Sequence, residues 1–329
     1  MKLSEAYSAA NKRMRNLSRA TKAIVKAKTI AIACHINPDG DTLGSLLSLG
    51  LGLKKLGKRV YMLSPDAVPS IYQKLPGASQ IIRKTDKAVD LAIAVDCGDK
   101  ELLGSSFAVF TKAKKTLAID HHEFRVPFSN IRLVDPQAAA AGELIYALLR
   151  ALSLPITKNI AQNIMTSIIV ETNSFRLPNI RPRTFTICAK LLATGINFYA
   201  LSKQVYWSKT KPEVLLEGLC LRRIKFTKNS RLCWAKLTLS DFKKFKAKPE
   251  DADSLANDLL SIKNVEITIL FREQEKGILR VSLRSKGRAN VAKLAKEHGG
   301  GGHHDASGCT IPNTRRVIEQ LLTEAKALL

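Results

Sequence analysis

"TIAIACHINPDGDTLGSLLSLGLGLKKLGKRVYML", Thr29 to Leu63, sets a helical pattern between two short apolar runs, 29–34 and 59–63. Short apolar runs rich in β-branched residues read as buried strands, and strand, helix and strand in that order make a parallel βαβ unit. The alternation continues. "LAIAVD" (91–96) and "TLAID" (116–120) read as further strands, while "AGELIYALLRAL" (141–152), "ITKNIAQNIMTSIIV" (156–170) and "RTFTICAKLLATG" (183–195) read as helices. The fold class expected is therefore α/β, a mostly parallel sheet flanked by helices on both faces. Three of the strands end directly in polar residues: His35, Asp96, and Asp120-His121-His122. Ligands of open α/β sheets bind beyond the carboxyl ends of strands, so these groups are expected to share one crevice.

The texture changes near residue 197. "NFYALSKQVYWSKTKPEVLLEG" reads as a polar helical connector, and "LCLRRIKFTKNSRLCWAKLTL" as a hairpin turning at Lys228-Asn229-Ser230. A helix (251–261), strands "VEITILFRE" and "GILRVSLRS", the helix "NVAKLAKEH", a glycine run and a last helix from about 314 follow. This division predicts a first domain over 1–196, a helical linker over 197–214 and a smaller α+β domain over 215–329. At 329 residues, of which 45% are apolar, the chain has the length for two cores.

No apolar run approaches the roughly 18 residues needed to span a bilayer, so no membrane association is expected. Residues 1–28 scatter Lys and Arg among Ala, Leu, Val and Ile, the pattern of an amphipathic first helix rather than of a secretory signal. The six cysteines form no CxxC pair, which argues against a zinc ribbon or a disulfide framework and suits the cytoplasm. Lys and Arg outnumber Asp and Glu by 53 to 28, a net charge of +25, which predicts salt-sensitive attraction for polyanions, nucleic acid included. Aromatics are only 6%, too few for a broad base-stacking platform.

All six histidines fall in three short segments: His35; His121 and His122; His298, His303 and His304. The first segment combines an imidazole with Asp39 and Asp41. Two carboxylates so close repel each other unless they face water, a helix start or a cation. Asp96 and His121 arrive at neighbouring strand ends, and Glu171 ends the helical run "IMTSIIVE". Mixed imidazole and carboxylate donors suit Mn²⁺, Fe²⁺ or Zn²⁺, and a carboxylate-rich set favours Mn²⁺ or Mg²⁺. There are too many donors for one tetrahedral zinc, and enough for two cations sharing a carboxylate, an arrangement that activates water and holds phosphoryl oxygens for in-line attack.

These residues resemble the motifs of the DHH phosphoesterase superfamily: His35-x3-Asp39-x-Asp41, the strand-end Asp96, the triplet Asp120-His121-His122 and the later acid Glu171. "GGGGHHDASG" (299–308), with "VSLRS" (281–285) before it, resembles the glycine-rich signature of the DHHA1 domain that accompanies it. The order and total length are similar to the nanoRNase/pAp-phosphatase branch. The resemblance implies two Mn²⁺ ions (Mg²⁺ or another divalent cation in their place), one bound by His35, Asp39 and Asp96, the other by Asp41, Asp96, His121 and Glu171. It implies that Asp120 orients His121 and that His122 faces the scissile phosphate. It further implies that Gly299, Gly300, Gly301, Gly302 and His303 close over the substrate, with Arg284 and Ser285 on its phosphate or terminal nucleotide and Arg176 in reach of it. Independently, four consecutive glycines let backbone N–H groups approach an anion without Cβ obstruction.

The family usually has Asp where this chain has Glu171, and an Arg where it has Lys100-Glu101. The activity implied is a metal-dependent hydrolase that cuts short single-stranded RNA to nucleoside 5′-monophosphates and dephosphorylates pAp. A RecJ-like exonuclease, a cyclic-dinucleotide phosphodiesterase and a manganese pyrophosphatase share the core motifs. A basic RNA- or nucleotide-binding module with a weakened centre is the alternative outside enzymes, and a homodimer is a further expectation.

Overall fold

A computed structural model describes residues 3–122, 127–302 and 304–329. The chain divides into two compact units, Met1–Ser208 and Lys209–Leu329. The first contains α1 (Leu3–Lys26), β1 (Thr29–Ala33), α2 (Gly40–Lys55), β2 (Arg59–Leu63), β3 (Ile81–Ile82), β4 (Leu91–Val95), α3 (Phe107–Lys112), β5 (Lys115–Asp120), β6 (Ile131–Val134), α4 (Ala141–Ala151), α5 (Lys158–Glu171), α6 (Pro182–Leu192) and α7 (Phe198–Tyr206).

Its six strands run parallel in the order β3-β2-β1-β4-β5-β6. The runs "TIAIA" and "LAIAV" explain how the two faces differ. Ile30, Ile32, Ile93 and Val95 point into the core built with α2, α4 and α5, while Ala31, Ala33, Ala92 and Ala94 face a thinner layer around Phe110 of α3. The period of two along a strand makes this partition. Chain order reverses between β1 and β4, so the carboxyl ends of those two strands flank the switch point where such sheets bind ligands.

Glycines let α2 approach its neighbours closely. A Cβ at Gly44 would lie 2.4 Å from the Asn163 carbonyl oxygen of α5. A Cβ at Gly142 of α4 would lie 2.1 Å from Ser167 Oγ. Neither position accepts a side chain without moving a helix.

The second unit contains α8 (Lys211–Arg222), β7 (Lys225–Phe226), β8 (Leu232–Leu237), α9 (Leu239–Phe245), α10 (Leu255–Leu260), β9 (Ile267–Glu275), β10 (Ile278–Ser285), α11 (Val291–Glu297), β11 (Gly301–Gly302), β12 (Ala306–Pro312) and α12 (Arg315–Ala327). The strands form a mixed sheet, β11-β12-β10-β9-β8-β7, in which only β8 and β9 are parallel. Odd-numbered residues of β9 and β10 (Ile269, Phe271, Leu279, Val281, Leu283) pack with α11 and α12 on one face. The opposite face is covered by α8, α9 and α10 over β8 and β9.

The expected hairpin is shorter than read. "LCLRR" belongs to α8, because Leu216 and Cys220, four residues apart, bury one helical face. The stretch 197–214 is two helices, α7 in the first unit and the start of α8 in the second, with Leu201 of α7 in the first core. All six cysteines are buried thiols without a disulfide. Among the described residues no helix is long and apolar enough to cross a membrane.

Candidate metal centre

The acidic and imidazole side chains named from the sequence converge beyond the carboxyl ends of β1, β4 and β5. His35 follows β1, and its Nδ1 lies 2.6 Å from the Ile36 carbonyl, which fixes the ring. Its Nε2 meets Thr42 Oγ1 and lies 3.9 Å from Asp96 Oδ2. The Thr42 hydroxyl also donates to Asp96 Oδ2 at 2.7 Å, so this threonine ties the first segment to the end of β4.

Asp39 is the N-cap of α2, with one carboxylate oxygen accepting from the Thr42 N–H at 3.0 Å. Of the two neighbouring carboxylates, Asp39 is the one at the helix start. Asp41, one helical position in, is fully buried. It accepts from Ser167 Oγ (2.6 Å), Ser45 Oγ (3.2 Å) and the first N–H groups of α4, Ala141 (2.9 Å) and Gly142 (3.4 Å). The glycine contacts thus have a consequence for the site. Gly44 of α2 and Gly142 of α4 both close on α5, so the positive N-terminus of α4 comes near enough to hold the Asp41 carboxylate.

Asp96 is 3% exposed and has left-handed backbone, φ 52°. An aspartate tolerates that region better than most residues, at some conformational cost. His121 Nδ1 lies 3.3 Å from the Ala138 carbonyl. Its Nε2 lies 3.5 Å from Asp41 Oδ2, 3.5 Å from Asp96 Oδ1 and 3.6 Å from Glu171 Oε1. Glu171, the last residue of α5, thus brings its carboxylate to the same imidazole as Asp41 and Asp96. Asp120 Oδ1 accepts from His122 Nδ1 at 2.5 Å and from the His122 N–H at 3.2 Å. The expectation that Asp120 orients His121 is corrected: Asp120 steers His122, and a main-chain carbonyl steers His121.

The electrostatics are those of a site short of positive charge. Burial, reinforced by Asp96, pushes Asp41 up to about 8, and the same two causes raise Asp39. Glu171 is raised well above its ordinary value, first by burial and then by the neighbouring carboxylates, against the pull of His121. Asp96 goes the other way. Burial opposes its ionisation, yet the imidazoles of His121 and His35 hold it down at about 2. Burial likewise opposes charge on His121, but Asp96, Asp41 and Glu171 raise it well above its usual range.

Donor atoms of His35, Asp39 and Asp96 lie within 4.8 Å of one another, as do those of Asp41, His121 and Glu171, and those of Asp96, His121 and His122. Asp96 Oδ1 and His121 Nε2 are buried without a hydrogen-bond partner. Two donors about 2.1 Å from one cation stand about 3–3.5 Å apart, so these atoms are spaced to share one. The residues fit divalent metal.

Asp39 has two separable duties, capping and facing the cation. Asparagine caps as well as aspartate, whereas alanine does not. In metal-free protein, Asp39→Ala is expected to unfold at lower urea than Asp39→Asn, by about 1 kcal/mol. Equal midpoints would refute the capping role.

The remaining expectations fare differently. Arg176 folds back on its own turn, donating to the Asn173 carbonyl (2.8 Å) and Asn173 Oδ1 (2.6 Å). Arg284 is held by Asn257 Oδ1 at 2.8 Å, while the buried Ser285 donates to the Ala289 carbonyl. Successive strand residues face opposite sides, so the two side chains cannot share a substrate contact. The glycine run is also less free than its composition implies. Gly299 and Gly300 spend their N–H groups on the Lys296 and Ala295 carbonyls, and Gly301 and Gly302 pair with β12 as β11. A Cβ on Gly300 would lie 2.1 Å from the Gly308 carbonyl, and Gly302 has φ +136°, so packing and backbone demand glycine there. His303 lies outside the described residues. Thr42 and Ser167 were not anticipated: each is an ordinary helical residue until its partner, 54 or 126 positions away, is known.

The DHH family N-terminal domain matches residues 29–168 and the DHHA1 domain residues 230–329. A Thermus thermophilus protein named bifunctional oligoribonuclease and PAP phosphatase NrnA is 28% identical over 321 residues, 95% of this chain and 94% of its own. The Bacillus subtilis protein of the same name is 25% identical over 304 residues, 91% of this chain and 95% of its own. The crystal structure of an exopolyphosphatase-related protein from Bacteroides fragilis superposes with a TM-score of 0.89 at 27% identity, over 96% of this chain and 97% of that one.

Proposed function

The chain belongs to the DHH phosphoesterase family, with a DHH domain followed by a DHHA1 domain, and on that premise we propose that it hydrolyses short oligoribonucleotides to nucleoside 5′-monophosphates and removes a phosphate from pAp. The observation that carries this reading is the convergence of imidazole and carboxylate donors around buried atoms that lack hydrogen-bond partners. Likeness to proteins named for both activities, over more than nine-tenths of each chain, supports the choice of substrates.

His35, Asp39 and Asp96 would hold one divalent cation, and Asp41, Asp96, His121 and Glu171 a second; Mn²⁺ suits this donor set. Bound there, the cations would supply Lewis-acid charge and activation of water. The chain's own groups do the rest. Thr42 keeps Asp96 and His35 in register. The N-terminus of α4 and Ser167 hold Asp41 in its buried position. Asp120 orients His122 toward a phosphate oxygen or the leaving oxygen, where the imidazole donates a proton or a hydrogen bond. Arg284 offers a guanidinium to a substrate phosphate. The excess positive charge would draw polyanions in a salt-sensitive manner, and the setting would be the cytoplasm.

The test is the full chain with Mn²⁺ and, separately, a labelled RNA dinucleotide, pAp, cyclic di-AMP and pyrophosphate. Turnover of the dinucleotide and pAp, lost on adding chelator, is expected. Retained RNA binding with no turnover of either would replace this reading with that of a binding module.

A further inference from the structure

One face of the second sheet is only half covered. The core under α8, α9 and α10 draws Cys233, Ala235, Leu237 and Leu270 from β8 and β9, and nothing from β10 or β12. Even-numbered residues of β10 and β12 therefore stand outside that core. They are Arg280, Ser282 and Arg284 on β10, with Thr310, Gly308 and Ala306 opposite them in register. None of these six is buried. An antiparallel sheet can leave a face to water, but such a face ordinarily mixes both signs of charge. Here it carries two guanidiniums and small residues; Arg284 is bonded to Asn257 of α10 and the Ser282 hydroxyl accepts from Arg272, whereas Arg280 and Thr310 stand exposed.

The arginines are unequally compensated. Arg280 stands directly opposite Arg272 of β9, a like-charge pairing that weakens a sheet. Arg272 is 6% exposed and is neutralised by Asp253 at 2.6 Å. Arg280 makes no hydrogen bond or ion pair with any described residue. Arg284, by contrast, has Asn257 Oδ1 at 2.8 Å and feels the nearby Asp305 and Asp253, although burial and Arg272 still lower its pKa. The spacing is regular. Arg280 and Arg284 are four residues apart on one strand, about 13 Å at the usual rise, and extended oligonucleotide backbone covers such a distance in a few phosphates.

We propose that this half-bare face is a phosphate track for single-stranded oligonucleotide, with Arg280 and its neighbour Thr310 taking a phosphate further along the strand than the one at Arg284. The inference rests on the oligonucleotide reading above and deepens it. Arg280 would favour substrates with several phosphates over dinucleotides, which are too short to reach both arginines. Thr310, opposite Arg280 in register, donates a hydroxyl beside the guanidinium.

The test is binding of fluorescent RNA dinucleotide and tetranucleotide to the full chain in chelator, where hydrolysis does not intervene. Arg280→Ala is expected to lower the ratio of tetranucleotide to dinucleotide affinity roughly five- to twentyfold. The salt dependence for the tetranucleotide should fall by about one counterion. Arg316→Ala, which removes the same charge from α12, should leave the ratio as it is. An unchanged ratio in Arg280→Ala, or an equal fall in Arg316→Ala, would overturn the track. Failure of the oligonucleotide reading shows separately, as wild-type protein that does not hydrolyse the dinucleotide with Mn²⁺.

Discussion

Asp96→Asn is expected to lower hydrolysis by about 10⁴-fold or more, equivalent to about 5.5 kcal/mol of transition-state stabilisation, while the fold persists. Asparagine is the informative variant. Asp96 has φ 52°, and asparagine is among the few residues that accept left-handed backbone readily. Its side-chain carbonyl can keep the Thr42 hydrogen bond. What is lost is the charge shared by both halves of the site, from which His35 stands 3.9 Å and His121 3.5 Å away. Alanine would confound that loss with backbone strain. The comparison needs turnover of an RNA dinucleotide with Mn²⁺, plus urea unfolding and circular dichroism to show that the variant is folded. Bound Mn²⁺ should fall as well, measured by paramagnetic resonance. Turnover within tenfold of wild type in a folded variant would remove Asp96 from the centre of the mechanism.

Several parts of this architecture can be read from the chain alone, and others cannot, for reasons that lie in particular residues. Strands β1, β2, β4 and β5 are legible because each is a short run rich in apolar residues, and the polar stops of β1, β4 and β5 are the site. β6 escapes, since "IRLV" is only four residues, with an arginine inside it and alternating burial. β12 escapes for another reason. "ASGCTIP" begins inside a glycine signature that reads as loop, yet its alternate residues Cys309 and Ile311 enter a core. "LCLRR" reads as strand because its apolar residues lie close together, and only the partners of Cys220 reveal the helical face. Within the site, residue identity is legible and orientation is not. Which carboxylate caps α2, and whether Asp120 serves His121 or His122, depends on sub-ångström placement of groups that sequence spacing treats alike.

Metal-free protein is expected to lose stability as pH rises from about 5 to 9, and divalent cation to restore most where the loss is greatest. The signs follow from the folded-state shifts. Asp41 is raised to about 8, and Asp39 and Glu171 are raised too. A carboxyl group whose folded pKa lies above its unfolded value adds stability fully below about pH 4, and loses it as pH climbs through the folded value. His121 is raised as well, so its contribution is complete below about pH 6.5 and also disappears on the alkaline side. Asp96 is the counter-case: held at about 2, its contribution is present above about pH 4 and is lost only in stronger acid, so it is constant across this window. Binding cations would replace the protons on Asp41 and His121, so metal uptake near neutral pH should release protons to the buffer. Adding Mn²⁺ to chelated protein should raise the melting temperature by about 5–10 °C at pH 8.5 and by distinctly less at pH 5.5. Thermal unfolding across pH with chelator or Mn²⁺, together with calorimetry in two buffers of different ionisation enthalpy, measures both effects. A metal-free protein that grows more stable between pH 5.5 and 8.5, or Mn²⁺ uptake without proton release, would mean that these acids are not crowded around a missing positive charge.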